Sequence, residues 1–219
     1  MTANVNEAEK KIADEIVFLE LLKKRLVVKT EQERKDEHKN KQKEDLAGQA
    51  ILKRAMSGDP EHVRKVYEFL PNEIYISSSW EEKHIWIPVA CMFVFYPQKI
   101  EEVKDSKKLN FGHSCRDLAI EINKTGESKG TERRFRALLD TSLADIRSPL
   151  ANLVRQMKSK KNSISINYPQ LLVDLQQWEH SSQHIQDRWA RSFWGGGFTD
   201  PEPTPSPSEE GSKSEIQTH

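Results

Sequence analysis

An all-α fold, a two-lobed helical bundle with a disordered acidic C-terminal tail, is what three features of this 219-residue chain predict. Apolar residues recur at three- and four-residue spacing in one segment after another. Ser, Asp, Asn and Pro stand where helices would begin. Strand-like alternation is confined to Ser163-Ile164-Ser165-Ile166, too brief to build a sheet. The length suits one large domain or two helical lobes sharing an interface, with enough chain to bury a substantial core. The organisation expected is an N-terminal helical lobe (1–103), a basic C-terminal helical lobe (104–194) and a tail (195–219).

The elements follow in order. Glu7 to Val28 is helical, with Ile12, Ile16, Leu19 and Leu22 one or two turns apart. Lys29 to Asp45 holds no apolar residue, so it is an exposed helix or a disordered charged linker with nothing to bury. Leu46 starts a helix that the Ser57-Gly58-Asp59-Pro60 turn stops, and the same turn caps the next, Pro60 to Leu70, ended by Pro71. Trp80 to Phe95 is apolar on most faces and therefore central. Asn110 to Lys124 carries Cys115, Leu118, Ala119 and Ile122 on one stripe. Glu132 to Leu139 sets Phe135, Leu138 and Leu139 on one face and Arg133 and Arg136 on the other, with Arg136 in range of Asp140 at i+4. Ser148-Pro149 opens a helix with Leu150, Leu153, Val154 and Met157 as its buried stripe. Asn167-Tyr168-Pro169 opens another bearing Leu171, Leu172, Leu175 and Trp178, and Ser181-Ser182 caps a last one with Ile185, Trp189 and Phe193. From Gly195 onward the chain is rich in Gly, Pro, Ser and Glu, with five acids against one Lys, the composition of a disordered tail.

Lys plus Arg and Asp plus Glu each number 34, yet the neutrality is a cancellation between segments. Residues 104–161 hold 14 basic against 7 acidic side chains, while 1–103 hold 17 against 19 and 162–219 hold 3 against 8. A segment, not a total, is what meets a polyanion. Phosphate neutralisation needs long cations standing off a rigid surface, which helices with buried opposite faces supply. Arg116, Lys124, Arg133, Arg134, Arg136, Arg155, Lys158, Lys160 and Lys161 meet that description on three consecutive helices and their connections. Trp178, Trp189, Trp194 and Phe193 have faces that could stack on bases, but their helical spacing reads first as core.

Other chemistry is poorly supported. His113-Ser114-Cys115 groups an imidazole, a hydroxyl and a thiol, but Cys115 belongs to a core stripe, so no catalytic residue is assigned. His180 and His184 have metal-pair spacing, yet Ser181-Ser182 interrupts the helix between them, so no metal site or cofactor is expected. No phosphate-binding glycine loop opens a helix. Cys91 and Cys115 show no disulfide spacing, which fits a reducing compartment. The first residues lack a basic start with an apolar run, and Ile85 to Tyr96 is too short to span a bilayer; a cytoplasmic protein with no membrane partner is expected.

Several blocks, in a fixed order, resemble the CasB family, the small subunit of the type I-E CRISPR Cascade surveillance complex. They are Gly48-Gln49-Ala50-Ile51-Leu52-Lys53-Arg54-Ala55, Val66-Tyr67-Glu68-Phe69-Leu70-Pro71, and Trp80 with the apolar helix after it. Asn110-Phe111-Gly112 with Cys115-Arg116-Asp117-Leu118-Ala119 follows, then Glu132 to Leu139, Leu153-Val154-Arg155 and the closing helices from Trp178 to Trp194. The likeness covers residues 46–194, and the charged stretch before Leu46 and the acidic tail depart from it. The resemblance implies a two-lobed helical protein without enzymatic activity, a homodimer within the complex beside other Cascade subunits. There it would hold crRNA and target DNA, including the displaced strand, and so stabilise the R-loop in antiviral defence. It carries the family's basic positions to Lys53, Arg54, Arg116, Arg133, Arg134 and Arg155, with Lys158 a local addition, and Arg136 completes the candidate nucleic-acid-binding set. The competing expectation is a structural adaptor whose helices contact only neighbouring proteins.

Overall fold

The structure, a computed structural model, describes residues 2–36, 43–72, 76, 78–100, 109–123 and 129–195. Among them the chain forms helices and no strand, so the all-α class holds. In order these are α1 (Thr2–Leu26), α2 (Glu31–Lys35), α3 (Leu46–Ala55), α4 (Pro60–Val66) with a 3-10 turn Tyr67–Phe69, and α5 (Ser79–Glu81). A π-helical stretch Glu82–Trp86 joins α5 to α6 (Ile87–Phe95), and α7 (Phe111–Asn123), α8 (Lys129–Leu139), α9 (Arg147–Lys158), α10 (Tyr168–Gln176) and α11 (His184–Trp194) complete the set. Residues 37–42 of the charged run, Lys124, and the acidic tail beyond Gly195 lie outside the described residues.

Caps explain most boundaries. The side chains of Asp45, Asp59, Ser78 and Asn167 accept from backbone N–H groups at the starts of α3, α4, α5 and α10. Two helices start elsewhere than the serines suggest. α9 begins at Arg147, behind a fully buried Ile146 that offers no side-chain cap, so core burial rather than Ser148 sets its start. α11 begins after Gln183, whose left-handed φ of 51° makes the turn. The Ser182 hydroxyl is engaged instead with His180 Nδ1 at 2.8 Å and His184 Nδ1 at 3.1 Å. The charged run after Lys29 is neither wholly helical nor wholly loose. Thr30 and Glu33 form a reciprocal capping box around α2, and Lys23–Glu33 (2.8 Å) and Arg34–Glu44 (2.9 Å) ion pairs tie it down although α2 buries no residue.

The apolar helix α6 is the centre, with every residue from Ile87 to Val94 buried. It packs against α1, α3, α9 and α10. Pro88 near its start has no N–H to offer the carbonyl four residues back, and the helix widens to π geometry just upstream. α10, from the second half of the chain, returns to lie on α1 and α6, and the Tyr168 hydroxyl reaches the Met92 and Tyr96 carbonyls, both at 3.1 Å. The segment before it is irregular rather than a strand: Ile164 and Ile166 are buried, the Tyr96 hydroxyl donates to the Ile164 carbonyl (3.1 Å), and Ser114 donates to that of Ser165 (2.6 Å).

A second group, α7, α8, α9 and α11, shares the same buried cluster. α11 lies closest to α7, because Gly112 has no side chain: a Cβ there would stand 2.3 Å from the Trp189 carbonyl oxygen. Trp189 also packs against Phe111 (5.3 Å) and Trp178 (4.9 Å). Fully buried Asp174 clamps α10 to α11, its carboxylate accepting from Gln170 Nε2 (2.6 Å), Trp189 Nε1 (2.5 Å) and the Arg188 guanidinium. Asp174→Asn turns one acceptor into a donor facing donors, and should lower the unfolding free energy by about 3 kcal/mol in urea titrations.

Candidate nucleic-acid interface

Two of the candidate cations, on different helices, are linked by charge. Lys53 lies in the last turn of α3, half-buried, donating to Gln49 Oε1 at 3.3 Å. Lys158 ends α9, donates to the Phe95 carbonyl at 2.6 Å and stands 4.2 Å above the Phe95 ring, so it caps the C-terminus of α6. Burial holds both ammonium groups below the ordinary lysine range, and neighbouring charge adds to it: that of Arg34 on Lys53, and those of Lys53 and Arg34 on Lys158. Glu44 and Glu31 only partly offset this. Arg34 of α2 thus joins the group, a residue the charged run concealed because acids alternate with bases around it.

The remaining candidates lie on α3, α7, α8 and α9. Arg54 is exposed beside Lys53, and Arg155 is exposed one turn before Lys158, donating to Asn152 Oδ1 at 2.9 Å. Arg116 is half-buried on α7, close enough to act on His113. Arg133, Arg134 and Arg136 are exposed on α8, which packs against both α7 and α9. Arg136 pairs with Glu132 one turn back (3.1 Å), not with Asp140, and lies 5.0 Å over the ring of Trp194, whose Nε1 donates to the same Glu132 carboxylate at 3.4 Å. Among the described residues no carboxylate comes within ion-pair distance of Arg54, Arg116, Arg133, Arg134 or Arg155. The charges acting on Lys53 and Lys158 come from Glu31 and Arg34 of α2, from Glu44 just ahead of α3 and, for Lys158, from Lys53 of α3, not from Arg116 or α8.

The other chemical candidates resolve into packing. Cys115 is fully buried and its thiol is pushed well above the usual range by that burial, while Ser114 is spent on the Ser165 carbonyl. Cys91 is likewise buried, its thiol raised to about 12. His180 and His184 have rings 5.0 Å apart, but no group of three or more metal-ligating side chains occurs among the described residues. Trp178 and Trp189 are core, and Trp194 is exposed. No helix described is long and apolar enough to cross a membrane.

The described residues make an all-helical protein without strands, and comparison with known proteins gives the family. The chain matches the family model for CRISPR-associated protein Cse2 over residues 48–194. It is 33% identical over 75 residues to the CRISPR-associated protein Cse2 of Thermus thermophilus, a stretch that covers 34% of this chain and 41% of that relative. A Cse2-family crystal structure from the same organism superposes with a TM-score of 0.56 at 22% identity, covering 83% of this chain and 98% of that one. CasB from M. ruber gives 0.52 at 24%, over 74% of this chain and 89% of that one. A chain of a CRISPR RNA-guided surveillance complex gives 0.53 at 18%, over 82% and 92%. The protein belongs to the Cse2 family of CRISPR-associated proteins.

Because the charge of Lys53 holds Lys158 down, Lys53→Met should move the Lys158 titration upward in an NMR pH series. An unmoved midpoint would show that the Lys53 charge does not act on it.

Proposed function

We propose that this chain is the non-catalytic small subunit of a type I-E Cascade complex in the cytoplasm, gripping nucleic-acid backbone to stabilise the R-loop. The cations are held by helices packed on one core, so they are ordered before any ligand arrives. In such a complex pairing between guide and target chooses the sequence, and the small subunit needs no base code for that choice. Its task is a cationic track for crRNA, target DNA and the displaced strand, which favours the open R-loop over the reannealed duplex. Residues 104–194 supply most of the track and the 1–103 lobe contributes Lys53 and Arg54. Two copies side by side, next to other Cascade subunits, would lengthen it.

One observation carries the reading: arginines on separate helices, Arg54, Arg116, Arg133, Arg134 and Arg155, stand without a described carboxylate partner. Every one of these cations falls inside the family match. Free arginines of this kind are relieved by phosphate, and each phosphate contact releases counterion.

The isolated protein should bind single-stranded DNA weakly and without sequence preference, with a salt slope of about −0.7 per phosphate contact. Reversing Arg116, Arg133, Arg134 and Arg155 to Glu together should flatten that slope in anisotropy titrations and shorten R-loop lifetime in the assembled complex. An unchanged slope would remove these residues from the site, and wild-type protein that binds no strand at moderate salt would leave a protein-only adaptor.

A further inference from the structure

A recess of about 270 Å³ lies at the start of α9, and none of the cations already discussed lines it. Its lining comes from the α3–α4 turn (Ser57, Gly58), the π-helical stretch (Lys83, His84), the loop before α9 (Asp145) and α9 itself (Arg147). Arg147 is half-buried and has no carboxylate within ion-pair distance among the described residues; it spends one N–H on the Lys83 carbonyl at 2.7 Å. Its burial lowers the guanidinium pKa, a cost that an ion pair does not offset. The acid of the recess, Asp145, is exposed and already accepts from the Ser142 hydroxyl at 2.9 Å. α9 opens into this region with no side-chain cap, so its first N–H groups add to the positive end of the helix.

Beside the recess stands an aromatic face. Trp80 is 46% exposed, unusual for the side chain with most to gain from burial. Its ring stacks on His84 at 4.6 Å and 29°, and His84 Nδ1 donates to the Trp80 carbonyl at 2.8 Å, fixing the pair. Since His84 also lines the recess, a rigid stacking surface adjoins a cationic hollow. An exposed aromatic alone would suit a protein partner as well. A neighbouring unpaired guanidinium and Lys83 favour an occupant that is flat at one end and anionic at the other.

We propose that Trp80 and His84, with Lys83, Arg147 and the start of α9, form a subsite for one unpaired nucleotide of a single strand, its base stacked on Trp80 and its phosphate in the recess. The subsite rests on the nucleic-acid reading above and adds a base contact that is indifferent to sequence, because every base offers a π-face.

Two labelled oligomers of about ten nucleotides separate the contributions, one of thymidines and one fully abasic with the same backbone charge. Trp80→Ala, at an exposed position, should weaken the thymidine oligomer roughly five-fold or more while leaving the abasic one unchanged. Lys83→Glu, also exposed, should weaken both and flatten their salt dependence. If Trp80→Ala binds both oligomers like the wild type, the subsite is wrong, whether or not the variant also loses a protein partner. In that event the Arg116, Arg133, Arg134 and Arg155 reversals still test strand binding independently. A wild-type protein that binds neither oligomer overturns both readings.

Discussion

The rest of the structure depends on the burial of α6. A helix that is apolar from Ile87 to Val94 has no face to give to water, so α1, α3, α9 and α10 must all press against it. Each of those helices then has a core side and an outer side, and long cationic side chains are left on the outer one. Lys158 shows the link most directly. Its ammonium binds the carbonyl of Phe95 at the C-terminus of α6, where the charge of Lys53 acts on it. The electrostatics of the surface therefore follow from an apolar segment that carries no charge.

The same packing bears on how a neutral chain leaves cations at its surface without described acidic partners. Acids near the candidate cations are partly consumed by local duties: Glu33 in the capping box, Glu44 with Arg34, Glu132 with Arg136, and Asp174 in the α10–α11 clamp. Arginines left over cannot fold back onto the core without a partner and cannot easily move, because their helices are fixed. Positive potential held on a rigid frame attracts a polyanion at little reorganisation cost, and it does so without reading a sequence. Membership of the Cse2 family gives that surface a biological setting in CRISPR-associated proteins.

Much of the fold could be read from spacing. The core stripes of α7, α8, α9 and α11, the central character of α6 and the caps at Asp59 and Asn167 all follow from rules that act within four or five residues. The misplaced starts of α9 and α11 arose where longer-range terms won, burial of Ile146 in one case and capture of Ser182 by two histidines in the other. Arg136 pairs with Glu132 rather than Asp140, and Trp194, distant in the chain, lies against both members of that pair. Arg34 and Arg147 did not stand out in the sequence, one hidden in an alternating charge run and the other lying just before the helix start that Ser148-Pro149 suggests.

Local order is thus written in the chain itself: which segments are helical, which stripe of each is apolar, where positive charge accumulates, and which family the ordered blocks match. Those properties depend on neighbours three and four residues away, and a linear pattern holds them completely. The effect of the Lys53 charge on Lys158, the return of α10 to α1, and the recess that joins His84 to Arg147 were decided only when helices from distant parts of the chain packed around α6. Contacts across about a hundred residues depend on how side chains interlock in three dimensions, and no one-dimensional period encodes that fit.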